Sequence, residues 1–117
     1  MKNPHIVAVW SDPVLDEGYC VVPNIILDQQ SAIGITSDEI NLLFQVFRFK
    51  FDERLPFPSE KTLAHRMGVS QRKVRRISAS MREKKFLKKS VGRDRTTWDF
   101  NGLVSQAVKA WGRTKLS

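Results

Sequence analysis

Pro58-Ser59-Glu60-Lys61-Thr62-Leu63-Ala64-His65-Arg66-Met67-Gly68-Val69-Ser70-Gln71-Arg72-Lys73-Val74-Arg75-Arg76 is the stretch on which the fold turns. Ser59 reads as an N-cap, and Glu60 sets a carboxylate in the first turn, where the helix dipole favours it. The spacing predicts a short helix over 59–67 with Leu63, Ala64 and Met67 inward. Gly68 suits the left-handed residue that follows a helix C-terminus. Ser70 then caps a second helix running to about residue 85, whose apolar line is Val74, Ile77 and Met81 at i, i+3 and i+7. Two capped helices are thus joined by a Gly-Val-Ser turn. Small Ala64 lets them approach, and Val69 can plug the turn from inside. This is a helix-turn-helix unit.

Upstream, Pro56-Phe57-Pro58 breaks the chain, and before it Thr36-Ser37-Asp38-Glu39 is a capping box. The helix it starts is expected to run to about residue 50. Asn41, Gln45, Arg48 and Asp52 form one polar stripe, and Ile40, Leu42, Leu43, Phe44, Val46, Phe47, Phe49 and Phe51 fill most of the remaining circumference. A surface helix needs an apolar face of little more than about 100°, and this one has about twice that, so it should be central and covered from two sides. Core packing is its plain reading, and a dimer surface on part of it is the alternative. Residues 1–18 are expected to be an irregular lead-in with a short strand near 6–9. Tyr19-Cys20-Val21-Val22 reads as a strand or extended arm closed by Pro23, and Asn24 as the cap of a helix over 25–29.

Downstream, 86–91 reads as a strand, Gly92-Arg93-Asp94-Arg95 as a polar turn, and 96–100 as the returning strand, rich in Thr and aromatics. Asn101 is expected to cap a closing helix with one apolar face of Leu103, Val104, Ala107, Val108 and Trp111. Residues 113–117 should fray. The expected organisation is a lead-in (1–18), one domain (19–112) and a short tail (113–117). The fold class is mainly α with a small β-hairpin, an α+β winged helix-turn-helix.

The chain has 117 residues, 41% of them hydrophobic and 27% charged, which is ordinary for a single folded domain. No apolar run approaches the roughly 18–20 residues that cross a bilayer. A single cysteine, Cys20, cannot form an internal disulfide, and a cytoplasmic, nucleoid- or plasmid-associated location is expected. Net charge is +8, but its position matters more. Residues 61–95 hold thirteen basic side chains against Glu83 and Asp94, a net +11, which leaves −3 for the rest. Apolar residues interleave with these charges, so the segment should fold and not trail as a solvated tail. A folded, one-sided basic surface is the footprint of a nucleic-acid binder.

Over residues 36–111 the pattern resembles the winged helix-turn-helix superfamily. The phrase from Pro58 to Arg76 is similar to that of GntR-type regulators, which would need an effector domain for which this length has no room. More of the chain resembles the winged-helix domain of plasmid and phage replication initiators and DnaD-type primosomal proteins. There, a segment like Val22-Pro23-Asn24 precedes the first long helix, and one like Trp98-Asp99-Phe100-Asn101-Gly102-Leu103 leads from the wing into a closing helix.

At about 100° per residue the second helix puts Val74, Ile77 and Met81 on one side and Arg72, Arg76 and Ala79 nearly opposite, with Lys73 and Arg75 flanking them. In a helix-turn-helix that helix enters the major groove N-terminus first. Arg72 and Arg76, then Arg75 and Lys73, are the candidates for reading bases, because Arg pairs bidentately with guanine O6 and N7. Ser59, Lys61, Ser70 and Gln71, at helix N-termini, suit phosphate contacts. Arg93 and Arg95, at the hairpin tip, suit the flanking minor groove or backbone. Lys84, Lys85, Lys88 and Lys89 read as long-range attraction or solvated surface more than as direct contacts.

Other chemistry is poorly supported. His5, His65 and Cys20 give no zinc spacing. There is no glycine-rich phosphate loop and no Ser/His/Asp grouping. Asp12, Asp16 and Glu17 read as a solvated loop. No enzyme activity, metal, cofactor or small-molecule ligand is expected. The expected partner is double-stranded DNA, bound sequence-specifically, with a homodimer as a further option and no membrane contact. Three roles remain: replication initiation, DNA transfer or partition of a mobile element; promoter-operator regulation; and a protein-interaction winged helix on which the basic face is incidental.

Overall fold

Thr36 caps the first long helix, as the spacing required. Its hydroxyl accepts from the Glu39 N–H at 3.2 Å, and its own N–H donates to Glu39 Oε1 at 2.8 Å. The computed structural model describes residues 11–16, 18, 21–49, 54–93 and 95–116. In chain order these form α1 (Asp12–Asp16), α2 (Asn24–Asp28), α3 (Gln30–Ile33), α4 (Ser37–Phe47), α5 (Glu60–Met67), α6 (Gln71–Glu83), β1 (Lys88–Val91), β2 (Thr96–Asp99) and α7 (Asn101–Leu116). The expected strand near 6–9, the Tyr19-Cys20 part of the arm, and Phe51 and Asp52 lie outside the described residues.

α4 packs against both α5 and α6. Leu42, Leu43 and Val46 are fully buried, while Ile40, Phe44 and Phe47 are half-buried. The helix ends at Phe47, short of the expected boundary, because the Phe49 N–H bonds Val46 O at 3.0 Å and tightens the last turn. Both helix-turn-helix caps form: Ser59 Oγ accepts from the Thr62 N–H and Ser70 Oγ from the Lys73 N–H, each at 3.1 Å. Gly68 is left-handed at φ 67°, and the Val69 N–H returns to Ala64 O at 3.0 Å. Val74, Ile77 and Met81 are buried on α6, joined by Ser78, whose hydroxyl donates to Arg75 O at 3.0 Å.

The wing starts two residues later than expected. Lys85 takes φ 64°, and the N–H groups of Phe86 and Leu87 turn back to Met81 O at 2.9 and 3.3 Å, so neither is free for a strand. Phe86 is instead a fully buried core plug. β1 and β2 are antiparallel, with Lys89 opposite Trp98 and Val91 opposite Thr96. Trp98 is fully buried, its N–H donating to Pro56 O at 3.1 Å and its Nε1–H to Pro58 O at 2.9 Å. The proline segment read as a simple breaker therefore covers the outer edge of β2.

The closing helix differs in three ways. Asp99, not Asn101, supplies the side-chain acceptor at its start, taking the Asn101 N–H at 2.9 Å. The helix continues through Gly112 to Leu116, into the segment expected as a tail. Its apolar residues also split. Leu103, Ala107 and Ala110 are buried, while Val104, Val108 and Trp111 are 43%, 51% and 45% exposed. Gly102 is where this helix meets the α6–β1 turn: the Lys85 carbonyl lies where a Cβ would be, and the Leu103 N–H bonds Phe86 O at 3.1 Å. Toward the N-terminus, α1 is a helical turn in the expected irregular lead-in, with Leu15 buried. Val21 and Val22 are irregular, not strand. α2 starts at Asn24 with Pro23 in the cap position and no side-chain cap, and α3 follows unexpectedly, closed by left-handed Gly34. Both pack on α7.

Glu39, buried at 2% exposure, joins these parts. Lys84 Nζ meets Glu39 Oε1 and Gly34 O at 2.8 Å each, Ser80 Oγ donates to Glu39 Oε2 at 2.9 Å, and Gln106 Nε2 donates to Lys84 O at 2.9 Å. Burial on its own would push the Glu39 carboxyl up. The Lys84 ammonium, the Thr36 backbone and the Ser80 and Thr36 hydroxyls outweigh it and hold the group below its ordinary value. A depressed pKa contributes stability that is complete above the unfolded-state value and is lost as pH falls through the folded one. Glu39→Gln should therefore cost about 1.5–3 kcal/mol in urea unfolding at neutral pH. The gap to wild type should close as pH drops below about 4. Identical stabilities at neutral pH would mean that the junction contributes nothing.

Candidate nucleic-acid interface

Sequence and fold agree on which side of α6 faces outward. Arg72, Arg76 and Ala79 are exposed, opposite buried Val74, Ile77 and Met81. Arg72 and Arg76 form no ion pair among the described residues. The two flanking cations are engaged. Lys73 Nζ lies 3.9 Å from Asp38 of α4. Arg75 Nε lies 3.4 Å from Glu60 Oε2, and its Nη2 donates to Gln71 Oε1 at 3.5 Å. The structure thus divides the four base-reading candidates into two open arginines and two tethered cations.

The phosphate and wing candidates converge. Ser59, Lys61, Gln71, Arg93 and Arg95 line one open cleft between the helix-turn-helix and the hairpin. Capping puts Ser59 and Gln71 there, since each stands at the start of a helix whose first N–H groups have no intrahelical acceptor. Hairpin register brings in the arginines: the Gly92 N–H bonds Arg95 O at 2.8 Å and closes the tip. Arg95 stacks its guanidinium 4.3 Å over the Phe57 ring, while Arg93 is exposed. Ser70 caps α6 but does not line this cleft. On the other side of α6, Arg76 and Lys73 share a shallow cleft with Thr36, Asp38 and Ser80.

Two lysines change role. Lys84, expected at the surface, is held by Glu39 and lies 5.8 Å over the Phe86 ring. The Lys89 side chain is only 9% exposed, 4.8 Å over Trp98 and 3.6 Å from Glu60 Oε2. Both serve the fold. Lys85 and Lys88 remain exposed. The sequence reading missed Phe57, Asp38 and the double engagement of Glu60. One signal existed: a four-residue tip between Val91 and Thr96 sets Lys89 opposite Trp98. Among the described residues, no His, Cys, Asp and Glu side chains group in threes as a metal site would require. Among the same residues, no helix is long and apolar enough to cross a membrane.

A helix-turn-helix closed by a two-stranded wing, with open arginines on its second helix, defines the winged-helix class. Residues 22–101 match the family model of the DnaD N-terminal domain, and the chain belongs to that family. The family is the winged-helix-like domain of DnaD-type primosomal proteins, which links this chain to DNA replication. The match runs from the Val22-Pro23-Asn24 segment to the first residue of α7, and the rest of α7 lies beyond it. A search of curated proteins found none that matches.

Proposed function

We propose that this chain binds double-stranded DNA sequence-specifically during replication initiation, DNA transfer or partition of a mobile element, as a binding module and not an enzyme. The observation that carries this reading is the convergence of Ser59, Lys61, Gln71, Arg93 and Arg95 on one cleft beside the open face of α6. In this arrangement the first two turns of α6 lie in the major groove, and Arg72 and Arg76 reach base edges. Lys61, the helix N-termini and the wing arginines take the phosphate backbone on the wing side. Small Ala79 lets the helix sit deep. A DNA partner places the work in the cytoplasm.

A second proposal concerns self-association. Val104, Val108 and Trp111 form an exposed apolar stripe at i, i+4 and i+7 on α7. Two copies meeting there would present two DNA faces related by a two-fold axis and so favour a palindrome or repeat.

The DNA reading is tested on a duplex selected from a random library at stated salt. Arg72→Ala and Arg76→Ala should each cost about 1–3 kcal/mol on that site and relax its sequence preference. Lys61→Ala should weaken all duplexes alike and lower the salt slope by about one. Unchanged affinity in both arginine variants would contradict groove docking. For self-association, light scattering should give a dimer mass for the wild type and a monomer mass for a folded Trp111→Glu. Equal masses would remove the α7 stripe as the contact.

A further inference from the structure

Among the described residues, the cation-rich face carries a carboxylate, Glu60, ion-paired to both the recognition helix and the wing. Glu60 is the first residue of α5, and its Oε2 lies 3.4 Å from Arg75 Nε on α6 and 3.6 Å from Lys89 Nζ on β1. That oxygen is shielded from solvent, yet it accepts no hydrogen bond. Its two cations stand at ion-pairing range but outside good hydrogen-bond range. They are also held differently. Lys89, on the wing itself, is packed over Trp98 and 9% exposed, whereas the Arg75 side chain is 62% exposed. Lys89 therefore fixes Glu60, and Glu60 draws Arg75 toward the wing. Gln71 Oε1 holds the same guanidinium from one turn back.

Resting on the DNA-binding reading above, we propose that Glu60 is a positioning residue for DNA recognition, which tethers Arg75 toward the wing and leaves base reading to Arg72 and Arg76. A free Arg75 would be a third mobile guanidinium at the groove. It would attract any phosphate, whatever the sequence, because backbone attraction carries no sequence information. Glu60 neutralises part of that attraction. Binding to unrelated DNA is held down, and the margin in favour of the true site widens. Loose ion pairing suits this role, since a phosphate can compete for Arg75 once the correct groove has docked.

The experiment titrates the intact chain with the selected duplex and with an unrelated duplex across a salt series. Glu60→Gln keeps the shape and removes the charge. It should raise affinity for the unrelated duplex several-fold, raise affinity for the selected one less, and steepen the salt slope by about one phosphate contact. In an Arg75→Met background the same change should have little effect, a dependence that a purely structural Glu60 would not show. Thermal melts of each variant confirm folding, and Glu60→Asp, which retains the charge, should restore discrimination if Glu60→Gln melts early. Unchanged discrimination in Glu60→Gln, or an equal effect with and without Arg75, overturns the inference while leaving DNA binding intact. Failure of the wild type to bind either duplex overturns both.

Discussion

The Glu39–Lys84 ion pair is the contact on which the rest of this structure depends. It is buried on the carboxylate side, and each partner does more than neutralise the other. Glu39 completes the cap of α4 through Thr36, while Lys84 stands at the C-terminal end of α6 and reaches Gly34 beyond α3. The chain turns immediately afterwards through left-handed Lys85, and Gln106 of α7 bonds the Lys84 carbonyl. The exit of α6 is thereby fixed against three other helices. A buried carboxylate left without its cation would cost several kcal/mol, so the geometry is strongly favoured once the pair forms.

The wing inherits its position from that exit. Phe86 fills the core directly after the turn, and Trp98, opposite Lys89, bonds Pro56 and Pro58 ahead of α5. The hairpin is thus held from both sides of the helix-turn-helix, with its tip arginines beside the starts of both helices. Membership of the DnaD N-terminal domain family links this geometry to replication. Of the thirteen cations on residues 61–95, Lys84 and Lys89 are absorbed internally and Lys73 and Arg75 are tethered among the described residues; the other nine are Arg72 and Arg76, the cleft's Lys61, Arg93 and Arg95, and exposed Arg66, Arg82, Lys85 and Lys88.

Local rules made much of this legible. Thr36, Ser59, Ser70 and Gly68 each act within four residues of themselves, so cap and turn chemistry places three helix starts and one helix end. The core side of α6 follows from periodicity alone. What the sequence hid depends on distant partners. Lys84 finds Glu39 at a separation of 45 residues, and Lys89 finds Glu60 only after the wing folds. The division of α7 into buried Leu103, Ala107 and Ala110 and exposed Val104, Val108 and Trp111 is decided by α2 and α3. α3 is four residues long and carries no side-chain cap signal. Gly102 shows the same limit: its identity is plain, but the carbonyl that requires it comes from Lys85.

The central claim is that DNA meets the first turns of α6 together with the wing cleft. The most direct measurement is the chemical-shift footprint of the isotopically labelled chain titrated with a short duplex at low salt. The account predicts the largest backbone shifts at residues 59–61, 70–76 and 92–96, with α7 quiet beyond Gln106. Shifts concentrated at Val104, Val108 and Trp111, or none on α6, would contradict it.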